Sequence, residues 1–407
     1  MRLGRLSLWK PALFIYFPSM LMGLGQGIIL PALPNLGGEF GVSGVVAVQV
    51  ITVQLAGRMI VLIPAGGVID RWGTKPPMIA GASLAAASGL IAAVAPNFAV
   101  VLVTQFTWGM GMSTWMFGRE VAAFDMVRVE QRGRQMSALM GIGSTGMVLG
   151  PAIGGVLTDT LGVRSLFYLI SITGAIVLII SMGIANSGGR STHRNSSLFN
   201  LKAFKEIHPY FRWTYAILFF ATFMQMIRGQ ITNTMMPLYT QEQLSYSATT
   251  TGFIFFVMAS TTMLMILPTG FISDKLGRKW AAVPAAVFST IGFVVFPLAE
   301  SMLFLVVAAV IIGIANGLAM GAMTIYTYDI VPVHVRGQLQ AMRRTFGEFG
   351  AFLSPPIGGI LAAAYGPGVP FLAFAPLHAI SAILLIFVAR ESLGKKLPPR
   401  PDEETPG

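Results

Sequence analysis

Gly66-Gly67-Val68-Ile69-Asp70-Arg71-Trp72-Gly73-Thr74-Lys75 lies between two long apolar runs, and a second version of it, Gly270-Phe271-Ile272-Ser273-Asp274-Lys275-Leu276-Gly277-Arg278-Lys279, follows 204 residues later. At the same offset, with no gap, Gly109 meets Gly313, Asp125 meets Asp329, Arg132-Gly133 meets Arg336-Gly337, Pro151 meets Pro355, and Gly154-Gly155 meets Gly358-Gly359. A self-match held in one register over most of a chain is an internal repeat. Two equivalent apolar halves in one chain are the plan of many membrane proteins that move solutes.

Of 407 residues, 54% are hydrophobic and 11% charged, and the mean hydropathy is +0.72, too apolar for a soluble fold of this size. A bilayer core about 30 Å thick takes about 20 apolar residues per helix. Twelve such segments are predicted, at approximately 11–33, 45–69, 76–95, 98–124, 135–158 and 164–185 in the first half and 211–238, 248–272, 280–299, 302–328, 338–364 and 369–389 in the second. The expected fold is an all-α membrane protein with twelve transmembrane helices in two pseudo-symmetric six-helix bundles. The bundles are expected at 1–185 and 209–390, joined by a cytoplasmic linker at 186–208 and followed by a disordered tail at 391–407. Within the linker, 198–207 suits a short amphipathic surface helix. The first run follows Arg2, Arg5 and Lys10 as a signal peptide would, but it is too long and lacks a small-residue cleavage site, so it is read as a span.

On a membrane protein, a net charge of +11 reports topology before it reports partners. Arg58, Arg119, Arg228, Arg343 and Arg344 fall within spans and Arg164 faces outward; the rest of the 27 lysines and arginines lie in, or at the margin of, one set of loops and tails. That side is read as cytoplasmic, with both termini on it and the chain in the cell (inner) membrane. The opposite loops carry Glu39, Asp159, Glu242 and Glu300. The partners implied are the lipid bilayer, a small molecule and protons, with no nucleic acid and a monomeric chain. The absence of cysteine excludes disulfides, a thiol nucleophile and thiolate metal sites. His193, His208 and His334 sit in cytoplasmic loops and His378 is alone in the last span, so no metal or hydrolytic constellation is expected, no cofactor, and no enzyme activity.

In the repeated loop, Gly66 and Gly73 permit a tight turn, and Asp70 ends a helix at the membrane surface. A carboxylate there accepts from a neighbouring helix's first amides or from a basic side chain. Arg132 and Arg336, seven residues beyond Asp125 and Asp329, are the natural partners for such a network. A solvated loop with anchoring charges competes for either copy alone; duplication favours the network. The fifth span carries Gly146-x-x-x-Gly150-Pro151-x-x-Gly154-Gly155, where small residues let two backbones approach and Pro151 removes a helical hydrogen bond. The eleventh span repeats much of this at Gly350, Ser354, Pro355, Gly358 and Gly359, so generic tight packing competes with a functional motif.

These motifs make the chain resemble the major facilitator superfamily over essentially its whole length. In that family a Gly-x-x-x-Asp-Arg-x-Gly-Arg-Lys loop joins helices 2 and 3, recurs between helices 8 and 9, and forms part of a cytoplasmic gate. Gly66, Asp70, Arg71, Gly73 and Lys75 match, with Thr74 in place of an arginine; Gly270, Asp274, Gly277, Arg278 and Lys279 match, with Lys275 in place of the other. The resemblance implies a gate of these residues with Asp125, Arg132, Asp329 and Arg336. The fifth-span pattern is similar to the family's antiporter signature, and Gly23-x-Gly25-Gln26-Gly27 with Pro31-Ala32-Leu33-Pro34 resembles the first helix of its drug:proton antiporters. Two positions depart from that branch. Gln105 stands where an arginine usually precedes the glycine equivalent to Gly109, and no acid lies between Met20 and Pro34, where many cation exporters carry one. The resemblance implies a secondary active transporter working by alternating access, exporting amphipathic small molecules in exchange for protons.

Charge inside the spans points elsewhere. An ionisable group deep in a bilayer normally faces a partner or a watery cavity. Arg58 lies about twelve residues from Asp70, roughly 18 Å along a helix, and Arg228 is deep in the seventh span. With Gln26, Trp115, Tyr326 and Arg344 they are candidates for a substrate cavity, although Trp108, Trp115, Phe117, Tyr326 and Tyr328 suit core packing as well. Arg119, Arg343 and Arg344 either face the cavity or snorkel to the surface. Glu348, one turn from Arg344, and Glu120, beside Arg119, are the acids well inside spans and the candidates for proton coupling. This charge pattern favours organic anions or anionic lipid-like substrates, carried by uniport or symport. A non-transporting membrane sensor is the alternative of another class. A lipid-processing enzyme lacks a nucleophile-base pair, a metal cluster and an acidic dyad.

Overall fold

The structure, a computed structural model, describes residues 12–125, 132–184, 202–320, 322–332 and 335–394; within these, the side chains of 12–13, 62–70, 124–125, 132–140 and 202–203 fall outside the description. The spans run as helices, because a bilayer core leaves backbone N–H and C=O groups no partners outside their own segment. α1 covers 12–40 in pieces, with Phe17–Gly27 and Leu33–Phe40 separated by a tight turn at Leu30–Ala32; Pro31 and Pro34 supply no N–H there, which breaks the regular ladder. α2 runs Gly44–Ala47 and Gln49–Trp72, α3 Lys75–Ala93, α4 Phe98–Asp125, α5 Arg132–Leu161 and α6 Arg164–Met182. α7 is Pro209–Leu238, α8 Ala248–Lys275, α9 Arg278–Val295, α10 Met302–Ala319 with Ala322–Ile330, α11 Arg336–Tyr365 and α12 Val369–Phe387. Of the expected linker, 185–201 lie outside the described residues and Lys202–Lys205 form one helical turn; of the expected tail, only 391–394 are described.

Among the described residues nine helices are long and apolar enough to cross a membrane. The other three, α4, α7 and α11, have 28, 30 and 30 residues and are the ones that carry Arg119 and Glu120, Arg228, and Arg343, Arg344 and Glu348. The architecture is twelve transmembrane helices in two pseudo-symmetric six-helix bundles. α3 packs on α4 and α6, and α9 packs on their counterparts α10 and α12. A Cβ on Gly109 of α4 would meet the Gln54 carbonyl of α2; at the corresponding crossing, Thr262 of α8 donates to the carbonyl of Gly313 on α10 at 3.2 Å.

Contacts divide the chain into two compact units: Met1–Arg194 with Asn233–Ala259 and Pro355–Pro367, and Asn195–Thr232 with Ser260–Ser354 and Gly368–Gly407. In the first unit, α5 lies on α1 through glycine. A Cβ on Gly146 would meet the Met20 carbonyl, one on Gly150 the Cα of Gly27 at 2.9 Å, and one on Gly154 the Ile28 carbonyl. Gly155 approaches the Ala248 carbonyl and Gly252 the Pro151 carbonyl, so α5 also meets the start of α8. There Asp159 accepts from the amides of Ala248 at 3.2 Å and Thr249 at 2.7 Å, satisfying two of the donors that a helix start leaves unpaired and matching its dipole. In the second unit, Phe211, Tyr215 and Leu218 of α7 form a core with Ala282 of α9, Tyr326 of α10, Leu339 of α11 and Leu385 of α12.

Glu242, in the turn Tyr239–Gln243 beyond α7, sets its carboxylate against Gly44 in the first unit, and burial raises its pKa. The folded state then holds a proton that the unfolded chain has released, so stability falls as pH rises from the ordinary glutamate value through the raised one. Glu242→Gln is expected to flatten the melting-temperature profile over that window; an unchanged slope would assign the pH dependence to other groups.

Candidate functional site

The second copy of the repeated loop builds a charge cluster in the second unit. Gly277 adopts φ +125°, a conformation L side chains rarely take, and turns the chain from α8 into α9. Arg278, the first residue of α9, then reaches two acids at once: Nη1 donates to Asp274 Oδ1 at 2.6 Å and Nε to Asp329 Oδ2 at 2.8 Å. Asp329 is therefore paired with Arg278 and not with Arg336, as spacing suggested. Arg336 instead lies over the Tyr328 ring, 5.3 Å from its centroid.

A residue that no motif flagged completes the cluster. Glu391, beyond α12, accepts from the amides of Arg278 at 2.9 Å and Lys279 at 3.0 Å, and Lys279 Nζ donates to the carbonyls of Ile386 at 2.7 Å and Ala389 at 3.0 Å. The end of α12 is thus tied to the start of α9. Glu391→Ala is expected to cost about 0.5–2 kcal/mol, as for other lost helix caps, measured by thermal unfolding in detergent; no change would show that water replaces the carboxylate freely. In the first copy, Gly73 has φ +82°, Arg71 is exposed and Lys75 half-buried at the start of α3. Gly66 lies in α2, and the side chains of Asp70, Asp125 and Arg132 lie outside the described residues.

The interior charges separate into two environments. In the first unit Arg119 is buried, its guanidinium 3.6 Å from Glu120 and 5.5 Å above the Trp115 ring, while Trp115 is buried and donates from Nε1 to Ser181 Oγ at 3.2 Å. Arg58 and Gln26 are half-buried, and Arg58 Nε has no partner. In the second unit Arg228 donates to Asn316 Oδ1 at 2.9 Å and to Ser289 Oγ. Arg343 donates to Thr222 at 2.6 Å, Gln340 at 2.9 Å and Thr324 at 3.1 Å. Both are buried, and among the described residues neither has a carboxylate at ion-pair distance.

Arg119 and Arg343 therefore do not snorkel, whereas Arg344 is exposed and makes no ion pair with half-buried Glu348. Tyr326 is packed in the core of the second unit, not lining open space, and its hydroxyl donates to the Arg390 carbonyl at 2.5 Å. Met224, Gln225, Arg228, Ser289 and His378 line a small cavity in that unit. His378 is buried, edge-on to Phe293 at 4.9 Å, with Nε2 unpartnered. Ser289 and Asn316 are interior residues that sequence reasoning passed over, and His378 one that it set aside as solitary; the available signal was a polar side chain in a strongly apolar span. No cluster able to hold a metal occurs among the described residues.

The family model described as Major Facilitator Superfamily matches residues 15–215 and 218–406. The chain belongs to the major facilitator superfamily. It is 22% identical over 346 residues to Multidrug resistance protein 2 of Bacillus subtilis (strain 168), covering 83% of this chain and 85% of that one. It is 23% identical over 402 residues to the class H tetracycline resistance protein of Pasteurella multocida, covering 95% and 98%. It is 24% identical over 363 residues to the quinolone resistance protein NorA of Staphylococcus aureus (strain MRSA252), covering 86% and 90%. Among solved structures, a D-xylose-proton symporter superposes with TM-score 0.78 at 14% identity, covering 96% of this chain and all of that one, 100%. The nucleoside transporter NupG gives 0.77 at 16%, covering 93% and 98%; at these identities the likeness is one of fold. This major facilitator is a multi-pass membrane protein of a secondary transport family and not an enzyme. On its α4, Gln105 stands where the drug:proton branch usually has arginine, and its Oε1 accepts from Gln54 Nε2 of α2 at 2.6 Å, both side chains buried. A neutral amide pair thus occupies this place.

Proposed function

We propose that this major facilitator exports amphipathic small molecules in exchange for protons by alternating access, its bundles at 1–185 and 209–390 joined through 186–208, with both termini in the cytoplasm and the chain in the inner membrane. The observation that carries this reading is the alignment of 83%, 95% and 86% of the chain with three proteins named for resistance to multiple drugs, tetracycline and quinolones. The cytoplasmic gate consists of the two repeated loops with Asp125, Arg132 and Asp329, Arg278 being its centre in the second copy. The gate on the other face is the Asp159 cap on α8 with the Gly155 and Gly252 contacts. Substrate reaches Arg58 and Gln26, the half-buried polar side chains of the first unit, and protons act at Glu120 and Glu348.

A second reading, a carrier of organic anions, is favoured by Arg228 and Arg343, buried guanidiniums whose described partners are neutral side chains. Fixed positive charge attracts anionic head groups and disfavours cations. Everted membrane vesicles containing the chain separate the readings. Under an imposed pH gradient, amphipathic cations or neutral dyes are expected to accumulate and to leak out when an ionophore collapses the gradient. Accumulation of organic anions alone, insensitive to the ionophore, would replace export coupled to protons with the second reading. No gradient-dependent or concentrative movement of any class would leave the sensor.

A further inference from the structure

Arg228 is held in α7 by groups that orient it without cancelling its charge. Asn316 offers its amide oxygen at 2.9 Å, and Ser289 offers a hydroxyl lone pair because its own proton goes to the Ala285 carbonyl at 2.5 Å. Arg228 is 3% exposed, and among the described residues no carboxylate lies within ion-pair distance of it. His378 of α12, 2% exposed, lines the same space with its Nε2 unpartnered. Its ring packs edge-on against Phe293, 4.9 Å between centroids. The space between these side chains admits the centre of a water-sized guest over about 10 Å³, the lower bound for holding one such particle.

Three guests fit this description unequally. Water satisfies the imidazole nitrogen but leaves the cation uncompensated, and buried charges are paired in folded proteins. The carboxylate of an organic molecule supplies charge but needs room for three or more heavy atoms, more than the narrow part of the cavity offers. A monatomic anion supplies the charge in a single atom, so that the walls need give only slightly for an ion larger than water, and it accepts from guanidinium N–H and imidazole N–H together. We propose that Arg228 and His378 frame a binding site for one dehydrated halide ion, chloride by abundance, within the second unit. The site goes beyond the export reading and holds whatever the charge of the exported molecule.

The test is thermal unfolding of the full chain in lipid nanodiscs, with chloride or bromide replacing gluconate at constant ionic strength. A saturable rise in melting temperature is expected, with half-saturation about tenfold weaker in His378→Phe, for one lost hydrogen bond to a charged guest, and no rise in Arg228→Gln. Should Arg228→Gln fail to insert, Arg228→Lys, which keeps the charge but loses the planar fork, takes its place, and weaker half-saturation there supports the site. Equal melting in halide and gluconate overturns the proposal, as does a halide effect unchanged in both His378→Phe and Arg228→Lys. Stabilisation by acetate but by neither halide also overturns it and makes the pocket a carboxylate subsite.

Discussion

Gly154→Leu is expected to abolish transport and to remove most correctly folded protein from the membrane. Even the first carbon of a side chain at 154 would meet the Ile28 carbonyl of α1, and a carbonyl inside a helix cannot move without moving the helix. Gly150 touches Gly27, and Gly146 touches Met20 and Leu24, along the same seam, so separating the helices at one point loses contact at all three. Overpacking a tight interior by a few methylenes costs about 1–3 kcal/mol when neighbours can adjust; here the neighbour is backbone, and the loss exceeds that range. Gly141→Ala, on the same helix where nothing lies within 4 Å of an added Cβ, is the control and should behave as the parent. Membrane yield, gel-filtration profile and transport read the outcome. A monodisperse, fully active Gly154→Leu would show that α5 and α1 part at this point during function.

The seam was readable from sequence because small residues at every fourth position of an apolar span let two helix backbones approach closely. The twelve-helix plan was readable for a related reason: an offset of 204 residues can hold without a gap only if both halves meet the same bilayer and bury the same turns. What the sequence concealed were partners brought together by the bundle. Glu391 lies 113 residues from the amide of Arg278 that it caps, and nothing in its local sequence marks where α12 ends relative to α9. His378 looked solitary because Arg228 and Ser289 beside its cavity sit on other helices, α7 and α9. The repeat itself misdirected the reading of Asp329. Seven-residue spacing pairs it with Arg336, yet Arg278 reaches it from α9 while holding Asp274 on α8, and Arg336 takes an aromatic face instead.

Of the two acids inside spans, Glu120 has the geometry of a coupling group: Glu120→Gln is expected to uncouple transport from the pH gradient, and Glu348→Gln to do so less. A coupling acid must exchange a proton for an electrostatic partner as the protein changes state. Glu348 stands one turn from Arg344, but Arg344 is exposed and the pair does not form. Glu120 has its partner at 3.6 Å, an Arg119 side chain 7% exposed against 26% for the glutamate, with Arg119 Nε otherwise unpartnered. Protonating Glu120 leaves a buried guanidinium with the Trp115 face as its remaining compensation. The cost lies between the ~0–1 kcal/mol of a surface pair and the ~3–5 kcal/mol of breaking a fully buried one. A penalty of roughly 1–3 kcal/mol that differs between two states corresponds to about 5- to 150-fold coupling, so Glu120→Gln should lower gradient-driven accumulation by at least about fivefold while ligand binding at equilibrium changes little. Vesicle uptake with and without an imposed gradient measures the ratio directly. Gradient-driven accumulation that persists at parental levels in the Glu120→Gln/Glu348→Gln double variant would remove both acids from the mechanism, because no other acid lies well inside a span to take the proton.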